Sequence, residues 1–167
     1  MKKIFFIYLL TITCVFAQQK IGHINIEKII TVMPDFVTGQ AELQQEVQSI
    51  EATMTSLYTE YQNKMAEFQQ NSETMNEVLQ QNKIKEIQEL ELTIQQYQQE
   101  EQARLQQKEQ ELLLQIMEKI QIAINEVAKD SGCTYVLQSD GSMPTVLFDD
   151  GPNSFDITEL VKKKLNL

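Results

Sequence analysis

From Leu43 onward the apolar residues fall at Leu43, Val47, Ile50, Met54, Leu57 and Tyr61, in alternating steps of four and three. That spacing keeps one side of a helix turned toward a partner helix and is the pattern of a coiled-coil seam. The steps on to Met65 and Phe68 are again four and three, so two fours meet at Tyr61, a slip that locally unwinds a left-handed supercoil. The pattern returns as Ile84, Ile87, Leu90, Ile94 and Tyr97, and once more as Leu112, Ile116, Ile120, Ala123 and Val127. Between Gln40 and Asp130 there is no glycine and no proline, and the run is rich in Gln, Glu, Leu, Lys and Met, which favour helix. As one rod it would reach roughly 140 Å, and folded at its middle about half that. A turn is predicted between residues 71 and 82. The first candidate is Gln70-Asn71-Ser72-Glu73-Thr74, where Thr74 with Glu77 matches a capping box, and the second is Gln80-Gln81-Asn82. The long stretch therefore reads as a helical hairpin over residues 35–131.

The flanks change period. Lys20 to Ile26 alternates as a strand, Glu27 to Met33 is a short helical turn stopped by Pro34, and Asp35 is placed to open the first long helix. Gly132 ends the second. Tyr135–Gln138 and Thr145–Phe148 read as the two strands of a hairpin, with Ser139-Asp140-Gly141-Ser142 as its turn. Asp149 to Asn153 is loop, and Asp156 caps a last short helix, Ile157–Leu165, with Glu159 in the box position and three lysines toward its end. The expected fold is mainly α with a small β body. Three short strands bury too little to stand alone and leave open edges, so the flanks 18–34 and 132–167 are expected to form an oligomeric body through Ile21, Ile24, Ile26, Tyr135, Leu137, Val146 and Phe148.

Residues 1–17 carry two lysines, the apolar run Ile4 to Ile12 broken only by Thr11, and Val15-Phe16-Ala17 with small residues where a signal peptidase reads. This is a secretory signal, cleaved near Ala17, and is shorter than the about 20 apolar residues of a membrane span. Cys14 is expected to leave with it, because Leu10 to Thr13 lacks the small residues of a lipidation site. The mature chain then keeps one cysteine, Cys133, which reads as a buried, inert thiol. Losing Lys2 and Lys3 moves the formal charge from −10 to −12, which disfavours nucleic acid and anionic headgroups.

Catalytic chemistry is not written here. The single histidine, His23, sits in a predicted strand, and no zinc-spaced Cys/His set, nucleophile motif or phosphate-cradling glycine loop occurs. No enzyme activity, metal or cofactor is expected.

The order of these pieces resembles the Skp/OmpH family of periplasmic chaperones. The resemblance runs from Lys20-Ile-Gly-His-Ile-Asn-Ile-Glu-Lys-Ile29 through the glycine-free Gln/Glu-rich stretch to Tyr135-Val-Leu and Asp156-Ile-Thr-Glu-Leu-Val161. It implies a homotrimer whose strands form a β body and whose helical hairpins surround a cavity. There, without ATP, unfolded outer-membrane proteins are shielded from aggregation. The family's best-known members are basic, with cationic tips credited with engaging lipopolysaccharide. Here Glu73 and Glu77 face only the Lys83/Lys85 pair at the tip, so membrane or lipopolysaccharide contact is not carried over.

A holdase needs adaptable apolar surface left over after its own helices have packed. Tyr58, Phe68, Met75 and Leu79 lie off the seam or near the tip and are the expected client-binding residues. Gln95 to Glu111, with only Tyr97, Ala103 and Leu105 apolar, is expected to be a solvated, weakly packed helix. An exported coiled-coil scaffold that never meets clients shares the same periodicity; the signal, the hairpin return and the β-rich flanks favour the chaperone.

Overall fold

The computed structural model describes residues 20–141, 144–151 and 154–167. The secretory signal, Cys14, Ser142 and the Pro152-Asn153 part of the loop lie outside the described residues. The element order is β1 (Lys20–Ile24), α1 (Glu27–Ile30), α2 (Pro34–Asn71), a 3₁₀ turn (Ser72–Thr74), α3 (Glu77–Asp130), β2 (Cys133–Gln138) and α4 (Thr158–Lys164). The chain is mainly helical, with a long helical hairpin and one small sheet, as its periodicities predict. Two compact units divide it, one of residues up to Ile29 with Ile120–Leu167, the other Ile30–Lys119.

In the unit Ile30–Lys119, α2 begins with Pro34 in the first turn, where a proline's missing N–H costs nothing. Met33 occupies the N-cap without a side-chain cap, so Asp35 is not the opener; it sits inside the first turn and pairs with Lys119. The turn falls inside the expected window, but Thr74 does not cap α3. Its hydroxyl donates to the Asn71 carbonyl at 2.9 Å, and Asn76 takes the cap, its Oδ1 accepting the Leu79 N–H at 2.9 Å. Asparagine is the stronger N-cap of the two. Gln80, a residue of the second turn candidate, lies within α3 and its Nε2 donates to the Ser72 carbonyl at 2.5 Å, stitching the turn shut.

Nested ion pairs fix the two helices as antiparallel. Asp35 meets Lys119, Glu46 meets Lys108, Lys64 meets Glu86 and Glu67 meets Lys83, converging on the turn. Between the charges the seam is apolar: Ile87, Ile94 and Ile116 are buried, and Leu43, Ile50, Met54 and Leu57 are half-buried. Gly39 marks a close approach, since a Cβ there would stand 2.6 Å from the Leu112 methyls.

In the other unit the sheet differs from expectation. β2 pairs with β1, in parallel, Ile21 opposite Tyr135 and Ile24 opposite Gln138. Parallel neighbours need a long crossover, and the helices that separate β1 from β2 in the chain supply it. Thr145–Phe148 forms no strand. Only the Thr145 and Val146 N–H groups reach the sheet, both donating to the Gln138 carbonyl, while Leu147 and Phe148 are 87% and 83% exposed. The other side of β1 is taken instead by Phe155–Ile157: the His23 N–H donates to Phe155 O at 3.0 Å and the Ile157 N–H to His23 O at 2.9 Å. Flanked on both sides, β1 buries Gly22, His23 and Ile24 in succession rather than alternately.

Asp140 does more than turn the chain. Its two carboxylate oxygens accept the N–H groups of Ile26 at 3.0 Å and Glu27 at 2.7 Å, and Asn25 Oδ1 accepts that of Lys28 at 2.9 Å. The open N-terminus of α1 is thereby satisfied. The core of this unit is Ile24, Ile29, Ile120, Ala123, Ile124, Val127, Ile157 and Val161. Asp156 accepts hydrogen bonds from both the backbone and the hydroxyl of Thr158, so α4 starts one residue later than expected, and Glu159 pairs with Lys162 instead of closing a capping box. Cys133 is free and half-buried, more open than a core thiol.

Replacing Ile24, 2% exposed, puts a carboxylate into this core without a partner. Ile24→Asp is expected to cost about 3 kcal/mol or more, read as a lowered midpoint in urea unfolding followed by circular dichroism.

Candidate functional site

The long helices carry the surface of interest. A seam uses one stripe of each helix, and what remains apolar outside it is available to a partner. Of the four expected client-binding residues, Tyr58 and Leu79 are exposed at 47% and 42%, while Phe68 and Met75 are half-buried. The four do not form one patch; Tyr58 and Phe68 lie on α2, Met75 follows the turn and Leu79 is in the first turn of α3. More surplus lies on α3, where Val78, Leu92, Leu113, Leu114 and Met117 are exposed. Sequence reasoning missed these. The signal was there in Val78-Leu79 and Leu112-Leu113-Leu114, because consecutive apolar residues exceed what a single stripe can bury.

Two expected seam positions are displaced by one residue, each time in favour of a charge. Val47 is exposed and Glu46 turns inward, its side chain 18% accessible, with Arg104 Nη2 at 2.9 Å and Lys108 Nζ at 2.6 Å. Ile84 is exposed and Lys83 turns inward to Glu67 at 3.0 Å. From Leu43 to Ile50 a four-three and a three-four step are equally helical, and an opposite charge across the seam decides between them. Glu101 joins the first cluster through Arg104. The stretch Gln95 to Glu111 is therefore tied to α2 by charge, with Tyr97, Glu101 and Leu105 half-buried, rather than freely solvated.

These contacts shift the groups concerned. The hydrogen bond from Lys108 holds the Glu46 carboxyl below its ordinary 4.5, helped by the charges of Lys108 and Arg104 against some desolvation. The hydrogen bond to Glu67 raises Lys83 above 10.5, and that to Glu126 does the same for Lys164. At Asp156 burial pushes upward, but the two bonds from Thr158, with His23 and Lys28 nearby, leave the carboxyl below 3.8. His23 Nε2 lies 3.0 Å from Ser154 Oγ, a contact that joins β1 to the segment before Phe155. Among the described residues no cluster of His, Cys, Asp or Glu could hold a metal ion, and no helix is long and apolar enough to cross a membrane.

The sequence profile described as "Outer membrane protein (OmpH-like)" matches residues 20–165. The chain belongs to the OmpH-like family. Among solved structures, an OmpH-like candidate outer membrane chaperone from Caulobacter crescentus CB15 superposes with a TM-score of 0.76 at 17% identity, covering 90% of this chain and 85% of that one. No protein of curated function matches the sequence significantly. The OmpH-like fold thus accounts for the hairpin and the small sheet together, and the surface just described is what this member displays on it.

Glu46 gives a pH test of the hairpin. Its folded pKa is depressed, so its stabilisation is full above 4.5 and is lost as pH falls through the folded value, whereas Lys83 stabilises below 10.5 and fades as pH rises through its folded value. Thermal melts should decline on the acid side, and Glu46→Gln should lower the melting temperature at neutral pH while flattening that acid limb.

Proposed function

We propose that this OmpH-like protein is an ATP-independent holdase of the periplasm, which receives unfolded outer-membrane proteins between its helical arms, prevents their aggregation and delivers them for membrane assembly. The observation that carries this reading is the apolar surface left over on the arms: Tyr58, Leu79, Leu92 and Leu114 stay exposed after the seam is filled. Such scattered side chains, with Met75 and Phe68 beside the turn, suit contact with many unfolded sequences and no fixed shape. The relative from Caulobacter, a candidate outer membrane chaperone, points the same way.

The same reading makes the strand-bearing unit the body of a homotrimer. Its support is the surface one chain leaves uncovered. Ile21 and Tyr135, opposite each other on the sheet, are both more than half exposed, and Phe148 is more exposed still. Among the described residues β2 has a strand on one edge only. Contacts between copies would cover these groups, with Ile24, Ile26, Leu137 and Val146 behind them. Residues 1–17 would direct export and be removed, leaving a body of 18–34 and 132–167 and a hairpin of 35–131. Release needs no nucleotide: a holdase binds the unfolded state and loses it as the client folds. The acidic surface argues against lipopolysaccharide or anionic membrane as a partner.

Denatured outer-membrane porin diluted into buffer with the mature protein should scatter far less light than porin alone, at a slight excess of oligomer and without ATP. Undiminished scattering would favour the scaffold reading, and a requirement for ATP would contradict the mechanism.

A further inference from the structure

Two features of the unit Ile30–Lys119 together define which clients it suits. The first is that each of the six cations in this unit has a carboxylate within 4.0 Å. Lys64 is held by Glu60 and Glu86, Lys83 by Glu67, Lys85 by Glu89, Arg104 by Glu46 and Glu101, Lys108 by Glu46, and Lys119 by Asp35. Glu42, Glu51, Glu91, Glu100, Glu109 and Glu118 have no such partner and are exposed. A partner meeting the arms therefore meets uncompensated negative charge.

The second is an open groove of about 760 Å³, with an apolar lining of Phe36, Val37, Leu43, Val47 and Leu105 and with Glu109 among its walls. Val37 and Val47 are exposed, so the groove offers apolar contact that the seam does not use. From Phe36 to Val47 the helix rises roughly 17 Å, the length of about five residues of extended chain. In extended chain alternate side chains point to opposite sides, so one set can enter the groove while the long, flexible stems of lysine or arginine in the other set bend back to the carboxylates at its rim.

Resting on the holdase reading, we propose that this groove binds extended stretches of unfolded client in which apolar residues alternate with lysine or arginine. Apolar side chains fill the space between Val37, Val47 and Leu105, and the cations find Glu109 and the unpaired carboxylates beyond it. An acidic stretch of equal apolarity gains the same burial but is repelled, because every ammonium and guanidinium of this unit already faces a carboxylate. The selectivity is electrostatic at an exposed rim, so it weakens as salt is added.

The test uses the full mature protein and two fluorescent ten-residue peptides with identical alternating valines and leucines, one with lysine and one with glutamate between them. By fluorescence anisotropy the lysine peptide is expected to bind roughly tenfold tighter at low salt, the gap narrowing in about 0.5 M salt. Glu109→Gln should weaken the lysine peptide alone, and Val47→Ser should weaken both. Equal binding of the two peptides, with porin aggregation still suppressed, overturns this inference and leaves the holdase standing. Binding of neither, with no suppression, removes the holdase reading itself. A change in oligomer mass with Val47→Ser, measured by light scattering, would mean that a second copy covers the groove, which also overturns the proposal.

Discussion

An isolated helix as polar as α2 or α3 is marginal in water, and what holds either in place is the stripe it buries against the other. That mutual burial is narrow. Only Ile87, Ile94 and Ile116 on α3 are removed from solvent within the arm unit, and α2 contributes side chains that are half-buried at most. Each buried isoleucine brings about 1.5–3 kcal/mol, so the hairpin rests on few residues along a great length. The close pass of Gly39 beside Leu112 and the turn closed by Asn76 and Gln80 matter because they set the register in which those few residues meet.

Charges occupy the places where the apolar stripe is interrupted. Glu46 with Arg104 and Lys108, and Lys83 with Glu67, sit where a fully apolar seam would have had Val47 and Ile84. Ion pairs at half-open sites stabilise little, but they fix which residue faces which, since a slipped register would leave an inward glutamate without its cation. The displaced valine and isoleucine then become surface. The same local choice that specifies the hairpin leaves apolar groups outside it, which links its register to its capacity to hold other chains.

Much of this was legible in the chain, and the failures have identifiable causes. The long helices and the turn window follow from the absence of glycine and proline and from the four-three spacing, and the last helix from Asp156 at its start and the lysines at its end, all of which are local signals. Val47 and Ile84 were misassigned because two step patterns are equally helical, and only the charge on the opposite helix decides between them. Thr145–Phe148 has the composition of a strand, yet β2 pairs with β1, whose distance in sequence hides it from any local rule. Asp140 reads as a turn residue, and its part as the cap of α1 depends on Ile26 and Glu27, more than a hundred residues earlier. Among the site residues, Tyr58 and Leu79 are exposed as expected. Leu92 and Leu114 were missed because a leucine on a long helix looks like core until the width of the seam is known.

The antiparallel hairpin is the claim on which the arms, the groove and the proposed function all stand. Double electron–electron resonance between spin labels at Gln45 and Gln106, both exposed, measures it directly. Packed helices lie 8–10 Å apart axis to axis, so with label arms the account predicts a narrow distribution near roughly 15–25 Å. A continuous rod would hold the labels on the order of 90 Å apart, and a distribution at that distance would contradict the account.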